Sequence, residues 1–529
     1  MSHLDLHDIQ GNIVKAYGRY GFPKGRYVLF SVCEGASGRA FLQALAPTIT
    51  TSAPWRSTAH GKGSPIPEVT TNIAFTYRGL KALGVPRASL QSFPDEFAMG
   101  MRARRDILGD DGVSAPENWD PVWTREEMPV DILISINGRD DACLERRYLE
   151  IVTLASASAG GVVLLSGHSG PTPDYQAASA IYDDEGPTAK EHFGYTDGIG
   201  DPFFKGVGTH ESNLIGGGKV TRQSPEGKLG WEPLETGEFL LGYKDEAFEC
   251  PEAPSPKLLS HNGTYMVYRK LHENTQSFDD YLEHVGKEFP GGKEALAAKF
   301  AGRWRNGAPV SKFPSESEAN DFAEKWSKAK QDIATTKDWK EREEKKARFA
   351  ALNQQFAAFD YRDDMSGGRC PLGAHIRRAN PRSALEFNKS DAFETPGALA
   401  NRRRIIRRGL PYGESYTPEQ RRDEQDHGIV FMALGASIRR QFEFVQQQWM
   451  NYGNDFQLAN EKDALLGNHG KNERGGTGTM VVQSDPKQPE PPFFCAKIPR
   501  FVETRGGEYF FVPSLTALRM IGEGSIDPT

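Results

Sequence analysis

The chain has 529 residues, a formal net charge of −7 and 38% apolar residues, a composition typical of globular proteins that build a core without a disulfide or metal staple. A sequence pI near 6.0 argues against a general nucleic-acid binder, and no aliphatic run approaches the roughly 20 residues that cross a bilayer. The five dispersed cysteines form no CxxC pair and the first residues lack the apolar core of a secretory signal, so a reducing, cytoplasmic location without a membrane partner is predicted.

The first third of the chain alternates between strand and helix patterns. Strand, helix, strand, strand, helix, strand is the order of a ferredoxin-like α+β unit. The predicted strands are 26–33, 70–78, 130–137 and 160–167, and the predicted helices are 36–45, 79–84 and 140–158. A stretch rich in glycine and proline follows, from about residue 168 to 237.

The remainder repeats this layout, so two α+β halves are predicted. The strands are expected at 238–243, 263–270, 428–435 and 507–512, and the helices at 275–287 and 436–450. Residues 314–358 are rich in Lys, Glu and Ala with apolar residues at helical spacing, which predicts an exposed helical insertion such as a helical hairpin.

Known catalytic motifs are missing: the sequence has no GxxxxGK[ST] loop, no GxSxG elbow and no HExxH helix. The segment FGYTDGIGDP instead places Asp197 among Gly194, Gly198 and Gly200. Such a loop brings backbone close to a flat ligand and presents one carboxylate to it. An ordinary Asp-Gly turn is the alternative interpretation.

Two basic segments are the other candidates. CPLGAHIRRANPR contains His375 followed by three arginines; a neutral imidazole binds transition metals or haem iron, and guanidinium groups bind the carboxylates of a cofactor. RRRIIRRGLPYG at 402–413 places five arginines around two isoleucines. A core histidine beside a basic surface, and a basic strand or helix edge, remain alternatives.

Taken together, these segments resemble dye-decolorising peroxidases. GYTDGIGDP resembles the GxxDG motif of that family, AHIRRANPR its proximal haem segment and RRIIRRGLPYG its distal-arginine segment. Further matches begin with DIQGNI at 8–13 and run in family order to about residue 515. The length, the DIQGNI segment and the insertions resemble the larger subgroup of the family. The resemblance implies an α+β fold of two ferredoxin-like domains with antiparallel sheets flanked by helices: residues 1–215, which include the GxxDG loop, and residues 216–529, which bind one heme b.

The resemblance also implies roles for individual residues. It assigns His375 as the proximal iron ligand, Asp197 as the distal acid–base group, Arg407 as the distal arginine, Arg382 as a propionate ligand, Gly198 as a cofactor-binding residue and Asp463 as the carboxylate that hydrogen-bonds the proximal imidazole. Arg408 competes with Arg407, because adjacent arginines leave the register open. Phe431 is a candidate wall of the distal pocket.

The function implied is that of a haem peroxidase. Hydrogen peroxide would be reduced, and dyes, phenols or other one-electron donors would be oxidised through a ferryl porphyrin radical. The alternatives are a non-catalytic haem carrier or sensor, which keeps His375 without needing Asp197 and Arg407, a related haem enzyme acting on chlorite or on haem itself, and a haem-free interaction protein. The sequence leaves the oligomeric state open.

Overall fold

Two groups of four antiparallel strands form the frame of the molecule. The computed structural model describes residues 4–56, 64–208, 211–221, 229–386, 397–473, 475–484 and 491–527. The first group and its helices are β1 (Lys24–Val32), α1 (Gly35–Leu45), β2 (Val69–Phe75), β3 (Ile132–Gly138), α2 (Asp141–Ser156) and β4 (Val162–Leu164), with an added edge strand β5 (Gln176–Ser179). This is the predicted order of strands and helices.

The second group follows the same order. It contains β6 (Thr264–Glu273), α3 (Thr275–Val285), α4 (Gly292–Ala301), α5 (Glu316–Thr335), α6 (Trp339–Gln354), β7 (Ile406–Tyr412), β8 (Gly428–Gly435), β9 (Val502–Val512) and α7 (Leu515–Glu523). Between β8 and β9 lie two π-helical segments, Arg439–Glu443 and Val445–Met450. The α+β fold with antiparallel sheets flanked by helices is therefore confirmed.

Shorter elements connect these parts. The short helices are Gly11–Val14, Tyr77–Ala82, Arg87–Leu90, Asp95–Met99, Arg105–Leu108, Pro121–Thr124, Glu211–Gly217, Lys257–Ser260, His375–Ala379 and Ala398–Asn401, and the short strands are Trp55–Arg56, Ser64–Pro65, Tyr182–Asp183, Gly186–Pro187, Lys219–Thr221, Gly230–Glu232, Lys471–Asn472, Gly475–Gly476, Gly478–Val482 and Phe493–Ile498. No helix in the described ranges is both long enough and apolar enough to span a membrane.

The eight main strands belong to one continuous sheet in the order β7-β8-β6-β9-β2-β3-β1-β4, with β5 also on β1. In each half the first and third strands are central and the second and fourth are outer. The halves meet where Phe511 on β9 pairs with Phe75 on β2. The boundary at residue 215 stays a prediction.

The sheet is strongly curved. A Cβ on Gly25 of β1 would lie 3.2 Å from Leu410 on β7, although these strands stand near opposite ends of the strand order. The ring of Tyr27 on β1 lies 5.8 Å from that of Tyr268 on β6. Strands such as β3, in which every residue is buried, thus have helices on one face and the other half of the sheet on the opposite face.

Two sequence predictions need correction. Residues 238–243 form no strand: Thr236–Glu238 is a 3₁₀ turn, and Phe239, Leu240 and Leu241 are fully buried. A short apolar run is equally compatible with a buried strand and with a buried loop, so periodicity could not separate them. The helix predicted at 436–450 exists, but its turns are wound as a π-helix, with the Glu443 N–H donating to the Ile438 carbonyl.

The helical hairpin predicted at about 314–358 is confirmed by α5 and α6. Ser315 and Glu318 form a capping box at the start of α5, which satisfies backbone N–H groups that have no partner inside the helix. The ring of Trp326 packs 5.5 Å from that of Phe349. The hairpin is therefore held by aromatic contacts between its own helices.

Replacing Phe511 with alanine should destabilise the seam between the two halves. Its ring is fully buried and lies 5.4 Å from that of Phe93, and a buried Phe→Ala change costs about 3–5 kcal/mol. Urea denaturation followed by circular dichroism measures the loss. Phe494→Ala is the control, because Phe494 is 71% exposed and should change stability by less than about 0.5 kcal/mol. Equal stability of the two variants would contradict the packing described.

Candidate active site

A cavity of about 310 Å³ opens beside the sheet face of the second half. It is lined by residues of β6, β7, β8 and β9, by the loop that carries Asp197 and by the short helix that begins at His375. Cavities of this size are typical of small-molecule and cofactor sites. The two segments singled out by their sequence, one from each half, therefore meet at one place.

His375 is fixed by a carboxylate far away in sequence. Its Nδ1 lies 3.0 Å from Oδ2 of Asp463, and Oδ1 of Asp463 accepts the N–H groups of Leu465 and Leu466. Burial lowers the pKa of His375, but the charge and hydrogen bond of Asp463 outweigh burial and raise it. With Nδ1 engaged, Nε2 is the ring nitrogen available to a ligand in the cavity.

The loop of Asp197 is shaped by glycine and by backbone hydrogen bonds. Gly194 has φ +92°, and a Cβ there would lie 2.9 Å from Nη1 of Arg305. The N–H of Asp197 donates to the carbonyl of Ala189, and the N–H of Gly198 donates to Oδ1 of Asp197 at 2.6 Å. Gly198, with φ +77°, orients the carboxylate; it is not among the described residues that line the cavity.

Arg407 pairs with Asp197 at the cavity wall. Its Nη1 lies 2.5 Å from Oδ1 of Asp197, and the two side chains are 33% and 41% exposed. Its Nη2 donates to the carbonyl of Ile199. The pKa of Arg407 is raised, first by the charge of Asp197. This pair joins an acceptor from the glycine-rich loop to a donor on β7.

Arg408 takes the opposite face of β7, because neighbouring residues of a strand point to opposite sides. Its Nη1 lies 2.7 Å from Oδ2 of Asp201, and its other nitrogens donate to the carbonyls of Asn12 and Ile13. Burial raises the pKa of Asp201, but the charges of Arg408 and Arg407 outweigh burial and lower it. Arg408 therefore holds β7 both to the loop that carries Asp201 and to the N-terminal segment.

Besides Arg407, five arginines of the described residues line the cavity, and two of them, Arg269 and Arg500, are paired with Asp110 and Asp111. The other three are Arg303, Arg382 and Arg404. In the described ranges none of them forms an ion pair, and their hydrogen bonds end on backbone carbonyls. Burial lowers the pKa of Arg303 and of Arg404 to about 9 and that of Arg382 to about 10. The cavity thus presents unpaired positive charge, which suits a ligand carrying carboxylates.

Sequence reasoning identified Arg382 but not Arg303 or Arg404. Arg404 belongs to the arginine-rich segment at 402–413, so the sequence offered a signal for it. Arg303 lies in no motif, so the sequence offered none. Glu191 and Glu273 also line the cavity and were not predicted. Phe431 on β8 lies in the wall as expected.

The chain was compared with known proteins. Residues 8–171 match the family model described as the DyP dimeric alpha+beta barrel domain. The dye-decolorizing peroxidase msp1 of Mycetinis scorodonius is 27% identical over 98% of this chain and 88% of its own length. The multifunctional dye peroxidase DyP2 of an Amycolatopsis species is 24% identical over 98% of this chain and 96% of its own length.

Solved structures of dye-decolorizing peroxidases have a similar fold. An ancestral D-type dye-decolorizing peroxidase superimposes with a TM-score of 0.69 at 27% identity, covering 98% of this chain and 99% of that one. The fungal DyP-type peroxidase of Auricularia auricula-judae gives a TM-score of 0.69 at 22% identity, covering 99% and 100% of the two chains, which supports the fold.

The fold and cavity are those of an α+β enzyme with two ferredoxin-like units and an arginine-rich cavity beside the second. The chain is similar over 98% of its length to dye-decolorising peroxidases, and its residues 8–171 match a domain of that family.

Replacing Asp201 with asparagine should cost more stability than the same change at Asp197. Asp201 loses a buried ion pair, worth about 3 kcal/mol or more, whereas the exposed Asp197 pair contributes about 1 kcal/mol at most. The depressed pKa of Asp201 means that its contribution is complete at neutral pH and disappears as the pH falls below about 4. Chemical denaturation of both variants at pH 7 and at pH 3 measures this, and equal losses at pH 7 would contradict the assignment.

Proposed function

We propose that this chain binds one heme b and reduces hydrogen peroxide at the expense of one-electron donors such as dyes and phenols. The observation that carries the proposal is the presence of two polar pairs at one cavity, three of whose members, Asp197, Arg407 and His375, line it. Asp197 with Arg407 supplies a proton acceptor beside a fixed cation, and His375 with Asp463 supplies an oriented imidazole.

The residues present fit haem. The imidazole of His375 has Nδ1 held by Asp463 and would ligate the iron through Nε2. Arg382 and Arg404, buried without carboxylate partners in the described ranges, would bind the propionates. Bound haem would supply the redox-active iron at which peroxide is reduced and to which the donors give their electrons.

Asp197 and Arg407 would act on the peroxide itself. The carboxylate of Asp197 would take the proton from one peroxide oxygen and return it to the other, a role that general acid–base groups fill with effects of about 10²–10⁴-fold. Arg407 would stabilise the negative charge that develops on the departing oxygen, because its guanidinium is already fixed by Asp197 and by the Ile199 carbonyl.

The sheet face around this pair is apolar. Leu271, Ile429 and Phe431 project from β6 and β8 into the cavity wall. With haem in the cavity, such a wall would exclude water and so strengthen the interaction of Asp197 and Arg407 with the reactant.

Organic donors are the proposed source of electrons. One similar solved structure is described as a dye-decolorizing peroxidase in complex with 2,6-dimethoxyphenol, at 24% identity, and the curated relatives are named for dyes. Phenols and dyes are therefore the proposed substrate class here. The cytoplasmic location stays a prediction.

A non-catalytic haem carrier is the second candidate, because the His375–Asp463 pair alone would suffice to hold haem. One experiment separates the two. Haem-loaded protein is mixed with one equivalent of hydrogen peroxide and its Soret band is followed; a rapid shift that a phenol reverses supports the peroxidase, and an unchanged band supports the carrier.

His375→Ala should lose most bound haem, because the only protein ligand proposed for the iron is removed. The ratio of Soret to protein absorbance after reconstitution measures occupancy. His284→Ala is the matched control, since His284 is exposed on α3 and should retain full occupancy. Full haem content in His375→Ala would overturn the ligand assignment.

Asp197→Asn and Arg407→Leu should each slow the reaction with peroxide by about 10²–10⁴-fold while haem stays bound. Stopped-flow absorbance measures the rate. Asp183→Asn, an exposed aspartate outside the cavity, serves as the control and should react at the wild-type rate. An unchanged rate in either cavity variant would remove that residue from the proposed mechanism.

A further inference from the structure

Two glutamates meet at the wall of the same cavity without a role in the steps proposed above. Glu191 lies in the loop that leads to Asp197, and Glu273 is the last residue of β6. Both line the cavity, and their carboxyl groups are within hydrogen-bond reach of each other. Two carboxyl groups can share a hydrogen bond only if one of them carries a proton.

The surroundings supply several N–H donors but little positive charge. Glu191 accepts the N–H groups of Phe193 and Tyr195, each at 2.7 Å, and Glu273 accepts the N–H of His192 at 3.1 Å. The cation whose charge lowers the pKa of Glu191 is Arg305, which is also paired with Glu294. One shared cation does not neutralise two buried carboxylates.

Burial and mutual repulsion therefore favour the neutral form. Burial raises the pKa of Glu191 to about 7, and burial, then the charge of Glu191, raises the pKa of Glu273 further. The other titratable groups whose charges interact with the pair are Asp197, Tyr195 and Tyr412. The N–H groups that donate hydrogen bonds to Glu191 favour its charged form. The proton of the pair therefore resides on Glu273.

The reaction needs a proton at this place. One hydrogen peroxide and two donors AH give two waters and two A radicals, so each electron must be matched by one proton inside the cavity. A donor oxidised at the protein surface releases its proton there, away from the oxygen being reduced. A proton must therefore enter the cavity for each electron delivered.

We propose that Glu191 and Glu273 form a proton store that resupplies Asp197 during turnover. Glu273 passes its proton through Glu191 or cavity water toward Asp197, and the pair is refilled from solvent. The pair acts on the reaction through Asp197, to which it supplies protons, and does not itself contact the peroxide. This inference rests on the proposed peroxidase function.

Glu273→Gln in the haem-loaded full chain is the decisive variant. Its amide oxygen can still accept the His192 N–H and its amide N–H can still donate to Glu191, but the exchangeable proton is gone. Glu508→Gln is the matched control: Glu508 also accepts two backbone N–H groups, from Met101 and Tyr509, has a raised pKa and does not line the cavity.

We expect Glu273→Gln to lower kcat with a phenol by at least about tenfold at pH 7 and to abolish the fall of kcat with rising pH that loss of the stored proton causes. The first reaction with peroxide, which uses Asp197 and Arg407, should keep its wild-type rate. Infrared spectroscopy of the wild-type protein should show a protonated-carboxyl band that titrates with pH and is absent from Glu273→Gln.

Failure of the proposed peroxidase function and failure of the proton store give different results. If the wild type does not react with peroxide, the proposed function fails, while the infrared band still reports on the pair. If the wild type reacts but Glu273→Gln has the kcat and pH profile of Glu508→Gln, or if the titrating band is missing, the proton store is refuted. The infrared difference between the wild type and Glu273→Gln needs no haem, so it decides even if the variant loads none.

Discussion

The ion pair between Asp197 and Arg407 is the contact on which the rest of the site depends. Its carboxylate comes from a glycine-rich loop that follows the first unit, and its guanidinium comes from a strand of the second. Loop and strand must both be held in place, and separate interactions do so: Gly194 and the Ala189 carbonyl shape the loop, and the Arg408–Asp201 pair anchors β7. Adjacent arginines thus have different tasks because a strand sends them to opposite faces.

The cavity combines unpaired cations with a pair of acids that shares a proton. Arg303, Arg382 and Arg404 are buried without carboxylate partners in the described part of the chain, an arrangement that an anionic ligand stabilises. Glu191 and Glu273 lie elsewhere in the same wall with too little positive charge to ionise together. The arginine cluster thereby favours the negative charge of a ligand, and the glutamate pair retains a proton.

The repetition of the ferredoxin-like unit explains where this cavity lies. In both halves the same strand order leaves an outer strand at the seam, and β9 meets β2 through Phe511 and Phe75. The sheet curves so far that β1 and β7 approach at Gly25 and Leu410. The sheet face of the second half is left to line a ligand cavity, closed by segments outside the strands.

Local patterns in the sequence were sufficient for most elements. The strands of both units, α1, α2, α3 and the hairpin of α5 and α6 could be predicted because each has its own periodicity, and three motif segments identified Asp197, His375 and the arginine-rich stretch. The strand predicted at 238–243 was wrong because a buried apolar run has no period. The π-helical winding after β8 was not predicted because the hydrophobic pattern indicates a helix but not its pitch.

Relations between distant segments were decided by the tertiary structure. Asp463 was a candidate by resemblance, but its bond to His375 exists only because the chain returns across 88 residues. The choice between Arg407 and Arg408 required the orientation of β7, and Arg303, Arg404, Glu191 and Glu273 became visible only as walls of one cavity. The amino-acid sequence by itself determined the elements and the chemically active side chains, because these depend on near neighbours; which groups face one another depends on strand pairing and burial, which no local pattern contains.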